Sequence, residues 1–211
     1  MGLIIKKQLS TGCMLGVWEI CEDYETLRSF LNLEDSDTHA LESFRNHERK
    51  LEFLSVRSLL TNMTHPSAKI IYNGTRKPSL RDKSFNISIT HSHHLTSILL
   101  SRNKRVGVDM EYMTDRINKV AHKFISKDEY IIEDKTLQLY HLYIHWCAKE
   151  ALYKLCDKPN LIFRKNLFIS PFQVNEKGVI KGHLDTVLRK EDFDLHYFKH
   201  DNYIIVWCCE E

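Results

Sequence analysis

Apolar residues recur near helical spacing between positions 37 and 62, where Leu41, Phe44, Leu51, Leu54 and Leu59 fall among interleaved arginines. That spacing predicts one long helix, ended by His65-Pro66. Before it, residues 14–20 are apolar and β-branched enough for a strand, and 23–31 read as a short helix. After it come an apolar run at 68–72, a turn at Asn73-Gly74, and two runs at 85–90 and 95–101 joined by a polar link of His and Ser. This is the pattern of an antiparallel hairpin. A strand over 106–111 follows, then helical spacing over 116–124, 127–132 and 136–155. Pro159 and Pro171 bracket a less regular stretch. The tail offers strands at 179–184, 193–200 and 203–209, the last two separated by the turn pair Asp201-Asn202. Helices followed by a hairpin occur in both halves, so an α+β fold of two similar lobes is expected, with a boundary between 1–104 and 105–211. The halves share no residue-level repeat.

Composition narrows the class. The 211 residues are 43% hydrophobic and 27% charged, as in ordinary globular proteins, which argues against disorder. A formal charge of +2 is too small for a general nucleic-acid binder, so any basic function is local. The start, Met1-Gly2-Leu3-Ile4-Ile5-Lys6-Lys7, lacks the form of a signal peptide, and no apolar run approaches membrane-spanning length. Six cysteines form no Cys-x-x-Cys pair, and several sit in apolar runs where a thiol packs as a small hydrophobe. A reduced, cytoplasmic protein is the expectation.

The chemistry concentrates in two segments. Val106-Gly107-Val108-Asp109-Met110-Glu111 carries two carboxylates that share a face if the segment is extended. Trp146-Cys147-Ala148-Lys149-Glu150-Ala151-Leu152-Tyr153-Lys154 carries a third, with Glu150 and Lys154 one helical turn apart. Singly, each acid reads as a solvated surface residue. Together, three carboxylates beside a lysine suit a hard divalent cation and a phosphate-bearing substrate. His91, His93 and His94 invite a zinc reading, but no further ligand appears at a recognisable spacing. Arg116, Lys119 and Lys123 make a small basic helical face, readable either as solvated charge or as a docking edge. Trp146 reads as core.

These two segments, in this order, resemble the signatures of the 4′-phosphopantetheinyl transferases. The resemblance extends to Phe124-x-Ser126-x-x-Glu129-Tyr130, to Phe85-Asn86-Ile87-Ser88-x-Thr90-His91-Ser92 and to Arg76-Lys77-Pro78, covering residues 45 to 155. It implies transfer of the 4′-phosphopantetheine arm of coenzyme A to a serine of an apo acyl or peptidyl carrier protein, with release of adenosine 3′,5′-bisphosphate. It also implies that Asp109, Glu111 and Glu150 hold Mg²⁺, that Glu150 is the base and that Lys154 is the electrophile near the phosphate. Arg49, Arg57, Lys77, Thr90 and His91 fall at coenzyme-binding positions. Met110, Thr90 and the Thr75-Arg76 spacing before Lys77 depart from the family's pattern without removing an expected metal ligand. The length resembles the two-lobed, surfactin-synthetase-activator branch. That implies a pseudo-dimer of antiparallel sheets packed with helices, the coenzyme in a cleft between lobes, and a monomer acting on no nucleic acid or membrane. The rival expectation is a coenzyme A or nucleotide-binding regulatory protein that keeps the fold without turnover.

Overall fold

The computed structural model describes every residue except 1, 10, 11, 73, 75, 76, 158, 159 and 211. The turn expected at Asn73-Gly74, Arg76 of the loop before Pro78, and Pro159 therefore fall wholly or partly outside the described residues. The chain divides into two compact units, Met1–Asn103 and Lys104–Glu211. No described helix is long and apolar enough to cross a membrane.

The N-terminal unit contains β1 (Leu3–Gln8), β2 (Cys13–Glu19), α1 (Tyr24–Ser29), α2 (Asp35–Ser43), α3 (His47–Met63), β3 (Ile70–Tyr72), β4 (Pro78–Leu80), β5 (Asn86–Ser92) and β6 (Leu95–Ser101). Its sheet runs β1-β2-β6-β5, every pair antiparallel, and β3 pairs with β4 separately. The long helix expected over 37–62 is two helices. Phe44 turns extended, and the Asn46 side chain accepts the Glu48 N–H at 2.7 Å, capping a new start for α3. The apolar spacing carries across this break because both helices bury against one core, built on Trp18, Leu41, Leu54, Leu59, Leu60 and Ile98. β1 escapes the sequence pattern because it is an edge strand, mostly exposed and carrying Lys6 and Lys7. β5 and β6 form the expected hairpin, with His93-His94 as its two-residue turn and His93 at φ 50°.

The C-terminal unit contains β7 (Arg105–Tyr112), α4 (Arg116–Phe124), α5 (Lys135–Cys156), α6 (Phe163–Asn166), β8 (Leu167–Ile169), β9 (Lys177–Thr186), β10 (Arg189–His200) and β11 (Tyr203–Glu210). The sheet order is β7-β11-β10-β9-β8, again antiparallel throughout. Helix α5 lies on this sheet, burying Ile144, Cys147, Ala148, Ala151 and Leu152 against Leu195, Ile204, Val206 and Cys208. The β10–β11 turn is Asp201-Asn202, as its residues demand, with Asp201 at φ 49°. The helix expected over 127–132 does not form. Glu129, whose spacing resembles a helical position, turns inward to satisfy three other segments, so the stretch is turn and irregular chain. Both units are thus mixed α/β structures with antiparallel sheets, and all six cysteines are free thiols.

Candidate active site on strand β7 and helix α5

Strand β7 and helix α5 approach until a side chain no longer fits between them. A Cβ added to Gly107 would lie 2.0 Å from the Ala151 carbonyl oxygen, so only glycine permits this contact. The odd-numbered face of β7 is therefore the face α5 covers, and it carries Asp109 and Glu111. Val106, Val108 and Met110 are buried on the opposite face.

Two of the three acids have partners on α5. Lys154 donates from Nζ to Asp109 Oδ1 at 2.8 Å and to the Val108 carbonyl at 2.9 Å. The Trp146 indole N–H donates to Glu111 Oε1 at 3.2 Å, so Trp146 is more than core. Its side chain stands one turn before Glu150, a placement only the helical register reveals. Glu150 shows the electrostatic cost of the arrangement: burial, then the Asp109 charge and, more weakly, Glu111 push its carboxyl up to about 7 against the opposing pull of Lys154. Cys147 lies fully buried against Asp109, and burial with the adjacent carboxylates pushes its thiol far up, leaving it a neutral donor.

Among the described residues, no three His, Cys, Asp or Glu side chains close into a ligand cluster. The donor set nevertheless fits a hard cation. Its members are carboxylate oxygens, and their mutual repulsion, read in Glu150, is what a divalent ion relieves. Lys154 brings one positive charge to the same carboxylates, at Asp109.

A second network holds α5 in register. Lys149 is fully buried, and its Nζ donates to the Phe124 carbonyl and to Glu129 Oε2, each at 2.6 Å. Glu129 also accepts the Ser126 N–H at 2.7 Å and the Ile169 N–H at 2.8 Å, tying the end of α4, helix α5 and strand β8 to one carboxylate. Burial pushes this carboxyl up, but His145, Lys149 and the Ser126 N–H outweigh it and hold it below the usual range. His145 sits 3.5 Å from Glu129, and one turn earlier His141 accepts the Ile132 N–H on Nδ1 at 3.0 Å. Burial, then the neighbouring His145, brings His141 down to about 4, so both imidazoles are neutral at ordinary pH. Phe124, Ser126, Glu129 and Lys149 all stand in the segments singled out from the sequence, but that they bond one another, with the lysine fully buried, emerges only from packing.

In the N-terminal unit, two of the residues expected on the coenzyme meet. Arg49 Nη1 lies 2.7 Å from His91 Nε2, and Glu52 joins them, 2.7 Å from Arg49 and 3.3 Å from His91 Nδ1. Glu52 was not anticipated, although its place one turn after Arg49 on α3 was available as a signal. Arg57 is differently employed. Its guanidinium is buried, donates from Nε and Nη2 to Asp37 Oδ1 at 2.9 and 2.6 Å and from Nη1 to the Phe53 carbonyl, and lies over the Phe53 ring. It is a structural cation of the helical layer. Thr90 is buried on β5, and Lys77 stands half-buried just before β4.

No curated protein matches the chain. A family model does: that of the 4′-phosphopantetheinyl transferase superfamily, over residues 105–208. The match begins with β7 and ends in β11, so it takes in both acidic segments, the Glu129 network and all of the five-stranded sheet but the last residues of β11. With Asp109, Glu111, Glu150 and Lys154 meeting across β7 and α5 inside that span, the C-terminal unit of this chain belongs to the 4′-phosphopantetheinyl transferase superfamily.

Proposed function

We propose that this protein transfers the 4′-phosphopantetheine arm of coenzyme A to a serine of an apo acyl or peptidyl carrier protein, releasing adenosine 3′,5′-bisphosphate. The observation that carries the proposal is the meeting of Asp109, Glu150 and Lys154 across β7 and α5 within the matched segment. Glu150, on the face of α5 that meets Asp109, takes the proton of the serine hydroxyl. The serine oxygen forms its bond to the phosphorus that bears the pantetheine arm, and the bond from that phosphorus to the bridging oxygen breaks. Lys154 stabilises the charge that gathers on the departing phosphate. Asp109, Glu111 and Glu150 would hold Mg²⁺, which when bound offsets charge on the pyrophosphate oxygens. Trp146, hydrogen-bonded to Glu111, orients that carboxylate. In the N-terminal unit, Arg49, Lys77 and His91 are the cations proposed for the coenzyme phosphates, with Glu52 fixing the first and last of them.

Intact-mass spectrometry of several apo carrier proteins incubated with the protein, coenzyme A and Mg²⁺ tests this. A gain of one phosphopantetheine mass that is lost with EDTA and with Glu150→Gln is expected. No gain on any carrier, together with measurable coenzyme A binding, would instead identify a coenzyme-binding regulatory protein.

A further inference from the structure

Away from the carboxylates of β7 and α5, the C-terminal unit brings a serine, a histidine and an aspartate together across three segments. His183 of β9 stands opposite Asp192 of β10 in the register, and its Nδ1 lies 2.7 Å from Asp192 Oδ1. Its Nε2 lies 2.7 Å from the hydroxyl of Ser170, the residue that follows β8. The Ser170 N–H donates to the Lys181 carbonyl at 2.9 Å, which continues the β8–β9 ladder by one residue and fixes the serine's backbone. Leu184 and Phe193 point into the core, so His183 and Asp192 share the face turned away from it.

The polarity of this chain of bonds follows from its end. A carboxylate only accepts, so in the neutral imidazole the proton sits on Nδ1 and the lone pair on Nε2. The Ser170 hydroxyl then donates to Nε2. A cross-strand His–Asp pair serves the hairpin and accounts for Asp192. It does not account for a hydroxyl from a third segment aimed at the nitrogen that the carboxylate has made the acceptor. Hydroxyl to Nε2 and Nδ1–H to carboxylate is the geometry of an activated serine, and it is recognised by arrangement, whatever the order of the residues in the chain.

We propose that Ser170, His183 and Asp192 form a second, hydrolytic centre that cleaves unhindered carboxylic esters or thioesters, independent of the transfer reaction. The Ser170 Oγ bonds to the acyl carbon as its proton passes to His183 Nε2. The alcohol or thiol leaves with that proton, and the acyl group remains on Ser170. Water repeats the sequence. Its oxygen bonds to the acyl carbon, its proton goes to Nε2, and Ser170 Oγ departs and takes that proton back, releasing the acid. Asp192 is a positioning residue that holds the imidazole by Nδ1. Pro171 has no N–H, so the residue after the nucleophile cannot bind the carbonyl oxygen. Lys181, opposite Ser170 across the ladder and two residues from His183, supplies a cation for that charge. It lies 2.7 Å from Asp194, with both side chains more than half exposed. Water reaches the centre, the Asp192 side chain being 79% exposed, so charge stabilisation is weak and substrates with good leaving groups are the ones it turns over.

The test begins with a fluorophosphonate probe on the full chain, read by intact mass and peptide mapping. Labelling of Ser170 is expected, absent in Ser170→Ala and slowed about a hundredfold in His183→Gln. Hydrolysis of p-nitrophenyl acetate and of acetylthiocholine then separates the oxygen ester from the thioester, and turnover of at least one should fall about tenfold or more in Ser170→Ala. Asp192→Asn should lower kcat about fivefold and leave KM unchanged, as expected of a solvated charge that orients the base. Circular dichroism checks that each variant folds, and carrier modification, which uses none of these residues, should be unchanged in all three. No probe on Ser170, equal labelling in His183→Gln, hydrolysis of neither ester, or hydrolysis that survives Ser170→Ala overturns the centre and leaves the transfer reading standing. Loss of carrier modification in the mass assay while Ser170 is labelled and the esters are cleaved keeps the centre and removes the transfer reading.

Discussion

Each unit lays one long helix over an antiparallel sheet at a glycine, and the two contacts differ in what they hold. In the N-terminal unit a Cβ on Gly16 of β2 would meet the flexible ends of Met63 and Leu59 of α3. In the C-terminal unit a Cβ on Gly107 would strike the backbone of α5. The charges differ in the same sense. The N-terminal unit buries a matched pair, Arg57 with Asp37, and the guanidinium donates from all three of its nitrogens to Asp37 and the Phe53 carbonyl. The C-terminal unit brings Asp109, Glu111 and Glu150 toward Lys154, and the excess negative charge is visible in Glu150. Balanced buried charge serves packing. Unbalanced charge on a backbone-to-backbone contact marks the candidate site, and the buried Lys149–Glu129 pair lies next to it.

The contrast breaks hardest at the carboxylate that Lys154 holds. Asp109→Ala should reduce carrier modification by about a hundredfold or more in the mass assay while circular dichroism stays native; near-normal turnover would remove Asp109 from the site. Truncating one member of each buried pair should cost stability of similar size but different kind. Lys149→Met leaves Glu129 buried without its cation and should cost about 3–5 kcal/mol in urea unfolding. Arg57→Met should cost a comparable amount through Asp37 while leaving the coenzyme A KM of the folded fraction unchanged; a raised KM would return Arg57 to the coenzyme. The glycines should separate next. Gly107→Ala should lose about 3 kcal/mol and Gly16→Ala about 1 kcal/mol, since only the second clash can be relieved by side-chain movement.

The most gradual effect is a dependence on pH. His141 faces His145, Tyr130, Phe172 and the Ile132 N–H, with Glu129 and Lys149 beyond His145. Its folded-state value of about 4 lies below the ordinary 6.5, so above the ordinary value the group is neutral whether folded or unfolded. As pH falls from there toward about 4, the unfolded chain takes up a proton that the folded chain refuses, and stability declines by up to about 3 kcal/mol. His141→Asn, which keeps an acceptor for Ile132, should flatten that decline in urea titrations across the interval. An unchanged slope would place the acid sensitivity elsewhere.

Much of this was readable from residue order. The β5–β6 and β10–β11 hairpins announced themselves through turn residues and alternating runs, and the site segments through the pairing of acids at strand and helix spacing. The misses have physical causes. One helical period ran through the Asn46 cap because α2 and α3 bury into one core, and Glu129 mimicked a helical position while serving as an inward acceptor for backbone N–H groups. For Arg57, expected among the coenzyme's cations, the sequence shows that a cation exists but not that Asp37, twenty positions earlier, pairs with it.

Local order along the chain set the elements, the two acidic segments and the superfamily they point to, because strand and helix periods fix which side chains share a face. Partnership was settled by packing. Lys154 on Asp109, Trp146 on Glu111, Lys149 on Glu129 and Glu52 between Arg49 and His91 each join residues on different elements or turns. A charge's value depends on who stands beside it and how much water is left, and neither quantity is local in sequence.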